Sequence, residues 1–272
     1  MADKDIMEGH RRLCELHERM VMGLELTEPQ RREAVAFFLR QVETDAPGFQ
    51  ARRAYKSAGG TYAPLFYAPP WHDGKRACLV TGHLPKTGIL HANHYELEIL
   101  RLLLLLDRDH AAVRDMAAKT VARLNQTCFA QFCPQGECTS AGICALRFFH
   151  VFNPRDHVRR NKLLEPLGRR FLLATASRAE WQNHIPISYF LLTLAELNNH
   201  VTHALIRARQ DWLGSIAWGK HADDIGAAPA DEGHGASWLA RSARLALATL
   251  PEWKENENRS KHRDMAGVGM YA

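Results

Sequence analysis

The sequence lacks an apolar segment long enough to cross a bilayer. Its most apolar stretch, Ile99 to Leu106, is interrupted by Arg101 and is far shorter than the roughly 20 residues of a transmembrane helix. The N-terminus is charged and lacks the apolar region of a secretory signal. These absences predict a cytoplasmic protein without a membrane span, whose six cysteines are thiols or ligands instead of disulfides.

Several functional motifs are also absent. The chain contains no glycine-rich phosphate loop, no nucleophile elbow and no dinucleotide-binding fingerprint. Its densest basic cluster, residues 155–170, has no interleaved aromatic residues and no known recognition motif, so we interpret it as a solvated helix face. Nucleic-acid binding through that face, which would depend steeply on salt, is the less favoured interpretation.

The composition is that of an ordinary globular protein. The chain has 272 residues, 46% of them hydrophobic and 24% charged, with a formal net charge of +5. This length accommodates one large domain or two small ones.

Pairs of helical segments recur at a regular interval. An apolar helix begins near each of His91, Cys138, His184 and His234, which are separated by 47, 46 and 50 residues, and an amphipathic segment follows the first three. Such an interval is typical of stacked helical hairpins, with apolar helices inside and amphipathic helices outside. The pattern predicts an all-α fold in which residues 1–250 form a single repeat domain.

Two segments depart from this pattern. Residues 45–86 are rich in glycine, proline and aromatic residues, which predicts a long ordered loop packed over the helices, and loops of this length are usually functional. Residues 251–272 are polar, which predicts a flexible C-terminal tail.

A spacing near 47 residues fits an open helical superhelix or a closed α/α toroid. The features that favour closure are Cys-Phe-x3-Cys at residue 128, Ala-Gly-Ile-Cys-Ala-Leu at residue 141, Gly-Arg-Arg-Phe-Leu-Leu at residue 168 and Ile-Ser-Tyr-Phe-Leu-Leu at residue 187. Over about residues 83–213 the spacing and composition of these motifs resemble those of the prenyltransferase and squalene-cyclase-like α/α toroids. The Asp-x-Asp-Asp motif of the cyclases is absent, since His110 follows Asp107-Arg-Asp109. The resemblance implies a toroid scaffold and an apolar, elongated substrate such as an isoprenoid or acyl chain.

In a toroid the inner helices point the same way, so the residues at their starts surround one mouth of the cavity. Imidazole and thiolate groups at these positions are ligands that zinc selects, and Glu96 or Glu98 can support them as a second-shell partner or a base. The predicted metal-binding residues are Cys133, Cys138, His91, His94, His184 and His234.

The cysteine-rich segment, residues 128–144, leaves three interpretations open. Its spacing, Cys-x4-Cys-x4-Cys-x5-Cys, differs from zinc ribbons and ferredoxins, which use Cys-x2-Cys. The segment is a ligand loop, a redox pair of Cys128 and Cys133, or core packing, the last best suited to Cys144.

Two functions follow from these observations. The first is a toroid enzyme or cofactor-binding protein with a His- and Cys-lined pocket, covered by the loop at residues 59–73, for an apolar small molecule. The second is a helical-repeat scaffold that binds a partner protein, which predicts no stoichiometric metal and no buried polar cluster.

Overall fold

The computed structural model describes residues 3–42, 56–57, 60–61, 64–72, 75–127, 139–176, 185–218 and 234–253. It divides into two compact units, unit 1 (Met1–Pro186) and unit 2 (Ile187–Ala272). The single repeat domain over residues 1–250 stays a prediction.

The described residues are mostly helical. Unit 1 contains α1 (Asp3–Val21), α2 (Glu28–Arg40), α3 (Gly88–Leu106), α4 (Ala111–Leu124), α5 (Thr139–Phe152) and α6 (His157–Ala174). Unit 2 contains α7 (Ile187–Leu197), α8 (His200–Arg207), α9 (Gln210–Ala217) and α10 (His234–Leu247). The prediction of an all-α fold is confirmed, and no described helix is long and apolar enough to span a membrane.

The strands found are two residues long. They are β1 (Lys56–Ser57), β2 (Gly60–Thr61), β3 (Trp71–His72) and β4 (Lys75–Arg76). Strands β1 and β2 pair antiparallel, as do β3 and β4, and all four lie in the segment whose sequence predicts a loop.

Local sequence signals set several helix ends. Thr87 Oγ1 accepts a hydrogen bond from Leu90 N at the start of α3, and Asp156 Oδ1 accepts one from Arg159 N at the start of α6. Both satisfy backbone donors that a helix leaves unpaired. Helix α1 is followed by Gly23 at φ 70°, a left-handed conformation that glycine adopts at low cost.

Helix α3 is the centre of unit 1. Every residue from Leu90 to Leu104 is buried, and α1, α2, α4 and α5 all contact this helix. The packing with α1 is close, since a Cβ on Gly9 would clash with the hydroxyl oxygen of Tyr95. A helix buried on all sides accounts for the apolar sequence of α3.

Helices α3 and α5 run parallel, as contacts along their length show. At their starts, Thr87 Oγ1 lies 3.3 Å from Ser140 Oγ. At their middle, Arg147 Nε lies 2.7 Å from Glu98 Oε1. Just beyond the end of α3, Arg108 donates to the carbonyls of Val151 and Phe152. Helices α4 and α6 are buried on one face only, as the amphipathic pattern indicates.

Residues 64–72 and 75–86 lie against this core. Phe66, Tyr67 and Ala68 are buried, and the Tyr67 hydroxyl donates to the carbonyl of Phe38 in α2 (3.0 Å). These described parts of the predicted loop are ordered and packed on the helices.

Unit 2 is built around α7. Its residues Tyr189, Phe190 and Leu191 are fully buried, and α7 packs on α10, which also contacts α9. Asn199 caps α8 by accepting hydrogen bonds from Val201 N and Thr202 N.

Candidate functional site

Charged and polar side chains lie inside the most buried part of unit 1. Helix α3 alone buries His91, Asn93, His94, Glu96, Glu98 and Arg101. Charged groups without partners are costly in a protein interior, so such residues are paired or hydrogen-bonded. By their hydrogen-bond partners, these buried residues form two groups. One group binds the backbone of the loop, and the other forms an ion network between helices.

Three α3 side chains bond to the backbone of the loop at residues 64–86. His91 Nε2 donates to the carbonyl of Pro70 (2.8 Å), and His94 Nε2 accepts from Val80 N (3.2 Å). Glu96 Oε2 accepts from Phe66 N (2.6 Å) and Tyr67 N (3.1 Å). We call His91, His94 and Glu96 the loop clamp, because together they fix three points of this segment on α3.

Glu96 also contacts α4. Its Oε1 lies 3.5 Å from Arg123 Nη2, and Arg123 Nη1 donates to Asn93 Oδ1 (3.3 Å). One carboxylate therefore joins the loop to the adjacent helix.

Glu98 is the centre of the second part, which we call the charge cluster (His17, Glu98, Arg101 and Arg147). Its Oε1 accepts from Arg147 Nε of α5 at 2.7 Å, and its Oε2 accepts from Arg101 Nη1 at 3.4 Å. Arg147 Nη2 lies 3.2 Å from His17 Nε2 of α1. A guanidinium only donates hydrogen bonds, so His17 Nε2 is the acceptor and this imidazole is neutral. The cluster joins α1, α3 and α5.

The pKa values in this region follow from burial and from the fixed charges. Burial by itself raises the pKa of Glu98, but the Arg147 and Arg101 guanidiniums outweigh burial and hold it well below its usual value. Burial, reinforced by Arg147, lowers the pKa of His17 well below 6.5. A permanently ionised Glu98 is too weak a base to serve as a general base near neutral pH.

The loop-clamp histidines are neutral as well. Burial lowers the pKa of His94 to about 3 and that of His91 to about 4, although the hydrogen bond to Pro70 opposes the second shift. Trp71 stands edge-on to His91, with ring centroids 4.7 Å apart. Both imidazoles therefore support the loop in their neutral form.

The predicted metal ligands fall into two groups. His91 and His94 lie on one face of α3, as their spacing predicts, and their Nε2 atoms are engaged by the loop. Cys133, Cys138 and His184 lie outside the described residues, and for His234 the structure describes the start of α10 but not the side chain. Within the described ranges no group of three or more His, Cys, Asp or Glu side chains is placed to hold a metal ion.

Sequence reasoning missed the arginines. Arg147 stands in Cys144-Ala-Leu-Arg-Phe-Phe and Arg101 in Ile99-Leu-Arg-Leu-Leu. A charged residue within an apolar helical segment that is too short to be a membrane span is the signal that could have identified both. Of the cysteines, Cys144 is buried in α5, consistent with its interpretation as core packing.

No protein-family model matches the chain, and neither a curated protein nor a solved structure matches it.

Proposed function

We propose that unit 1 binds an apolar, elongated small molecule, of the acyl or isoprenoid type, in a pocket whose mouth lies at the adjacent starts of α3 and α5. The substrate class comes from the resemblance to the α/α toroids, and toroid closure of the helical hairpins is part of the same proposal. As an enzyme, the protein would carry out a metal-dependent reaction on this molecule at the mouth of the pocket.

The parallel arrangement of α3 and α5 carries the proposal. Thr87 and Ser140, which lie 3.3 Å apart, bring the two helix starts together. Cys138 immediately precedes Thr139, the first residue of α5. Pro70, held by His91 one turn into α3, brings the aromatic residues of the loop to the same end.

The buried charges favour a ligand-binding protein over a purely structural repeat. Replacing a buried ion pair with apolar residues of similar size is often neutral or stabilising, so packing alone does not require Glu98 and Arg147. The scaffold interpretation predicted no buried polar cluster, whereas four charged or polar residues of α1, α3 and α5 form one.

The zinc part of the proposal rests on cysteines. His91 and His94 would have to give up loop hydrogen bonds to ligate through Nε2, so we assign the sulfur ligands Cys133 and Cys138 first, with His184 beside them. Thiolates are ligands that zinc prefers.

Elemental analysis of untagged protein purified without chelator tests this part. We expect about one zinc per chain, lost in C133A/C138A and retained in C78A, a matched cysteine of the loop, and in H94Q. A wild-type protein without bound metal would show that the zinc assignment is wrong.

Titration with dansylundecanoic acid, a fluorescent acyl-chain probe, tests the pocket. We expect saturable binding that palmitate or farnesol displaces. The W71A variant should weaken binding, while W218A, which removes an exposed tryptophan of unit 2, should not. Absence of saturable binding would contradict the pocket.

The partner-protein scaffold remains the second candidate, because the loop clamp gives His91 and His94 a structural role that needs no ligand. A protein with neither zinc nor probe binding would favour it.

A further inference from the structure

The outer face of α6 combines exposed apolar and basic side chains. Five residues at intervals of three or four lie along it, and we call them the α6 stripe (Val158, Lys162, Glu165, Arg169 and Leu173). Residues this far apart share one face of a helix. Val158 is 82% exposed and Leu173 58%, so both ends of the stripe present apolar side chains to solvent.

The opposite face of α6 anchors the helix to unit 1. Leu163, Leu164, Leu167 and Phe171 are buried, and α6 packs against α5. The stripe therefore belongs to a fixed helix of 18 residues, about 27 Å long.

Positive charge dominates around the stripe. Within residues 155–173, five exposed or half-exposed basic residues (Arg155, Arg159, Lys162, Arg169 and Arg170) surround two acidic ones, Asp156 and Glu165. Glu165 pairs with Arg169 and Asp156 with Arg159, but such exposed pairs are weak. The surface carries a formal surplus of three positive charges and suits a negatively charged partner.

The two apolar ends decide which negatively charged partner fits. Contacts to a nucleic-acid backbone use cations, and base stacking uses aromatic residues, so Val158 and Leu173 would contribute little to either. A helix that lies on an anionic membrane uses both apolar and basic side chains. Its apolar side chains enter the headgroup boundary, and its cations pair with lipid headgroups.

We propose that the α6 stripe docks unit 1 on the surface of a membrane that contains anionic lipids. Val158 and Leu173 enter the interface, while Lys162, Arg169 and their basic neighbours contact lipid phosphate and carboxylate groups. This inference stands on α6 alone and does not depend on the proposed pocket.

Sedimentation of the full chain with phosphatidylcholine vesicles, with and without phosphatidylserine, tests the proposal. We expect binding that requires phosphatidylserine and weakens as salt is added. The K162Q/R169Q variant should bind about 25-fold more weakly, since each cation near an anionic surface contributes about fivefold. The V158S/L173S variant should bind the vesicles about tenfold more weakly, because it lacks the two apolar side chains that enter the interface.

The matched control is R11Q/R32Q, which removes two exposed cations of α1 and α2 and leaves the same net charge as K162Q/R169Q. We expect this control to bind vesicles like the wild type. All three variants should unfold at the same urea midpoint as the wild type. Equal losses in the control and in K162Q/R169Q, or no preference for phosphatidylserine, would overturn the proposal. Competition by an oligonucleotide, with V158S/L173S binding unchanged, would assign the face to nucleic acid instead.

Discussion

Arg147 is the buried residue that connects three helices of unit 1. Its side chain is fully buried, its Nε bonds to Glu98 and its Nη2 to His17. It therefore connects α5 to both α1 and α3. In a low-dielectric interior, charge-assisted hydrogen bonds of this kind are stronger than in water, so they help to fix the relative positions of the three helices.

Replacing Arg147 with methionine should strongly destabilise unit 1. Methionine keeps much of the side-chain volume of arginine but removes the main counter-charge of Glu98. Removing one partner of a buried ion pair costs about 3–5 kcal/mol. Urea denaturation followed by circular dichroism measures this free energy of unfolding. The matched surface change R169M, in an exposed pair, should cost less than about 1 kcal/mol.

The double variant E98Q/R147M separates charge from packing. Neutralising Glu98 removes the uncompensated buried charge, so we expect this variant to recover part of the stability that R147M loses. A double variant as unstable as the sum of the two single changes would mean that the residues do not act as a pair.

At the scale of elements, the loop clamp shows how one helix orders a segment without regular structure of its own. Three α3 side chains supply hydrogen bonds to backbone groups of Phe66, Tyr67, Pro70 and Val80. Buried backbone groups need such partners, and the two-residue strands found nearby are too short to supply them.

Glu96 gives a direct test of the clamp by hydrogen exchange. In E96L the amides of Phe66 and Tyr67 lose their acceptor, so we expect their exchange with solvent to accelerate while amides of α5 keep their protection. In E96Q the side-chain oxygen still accepts, and exchange should stay closer to that of the wild type. Equal protection in wild type and E96L, measured by mass spectrometry, would show that the clamp does not order the loop.

The helices themselves could be predicted from the sequence, because apolar periodicity and caps are local signals. The predicted starts near His91, Cys138, His184 and His234 lie within three residues of the observed starts of α3, α5, α7 and α10. The roles of His91 and His94 could not be predicted, since their partners, Pro70 and Val80, are 21 and 14 residues away. Sequence spacing places an imidazole on a face but does not show which backbone group approaches it.

At the scale of the whole molecule, the histidines of unit 1 make stability depend on pH. Burial lowers the pKa values of His10, His17, His91 and His94 below 6.5. Protonating His17 or His94 removes the acceptor of Arg147 or of Val80 N, and protonating His10 or His91 places a charge in a buried site. A histidine whose pKa is lower in the folded state binds fewer protons there than in the unfolded state, and acid therefore favours unfolding.

We expect the free energy of unfolding of unit 1 to fall between pH 6.5 and 5. For His94, whose pKa moves from 6.5 to about 3 on folding, the loss approaches about 1.4 kcal/mol per pH unit below 6.5. Glu98, with its pKa held below 4.5, loses its contribution only at lower pH, so the histidines dominate this window. In urea titrations across this range, H94Q, which keeps an acceptor for Val80 N, should reduce the pH slope, whereas H200Q, at an exposed site of unit 2, should not. Identical slopes in H94Q and the wild type would show that His94 is already protonated in the fold, and the neutral loop clamp would then be wrong.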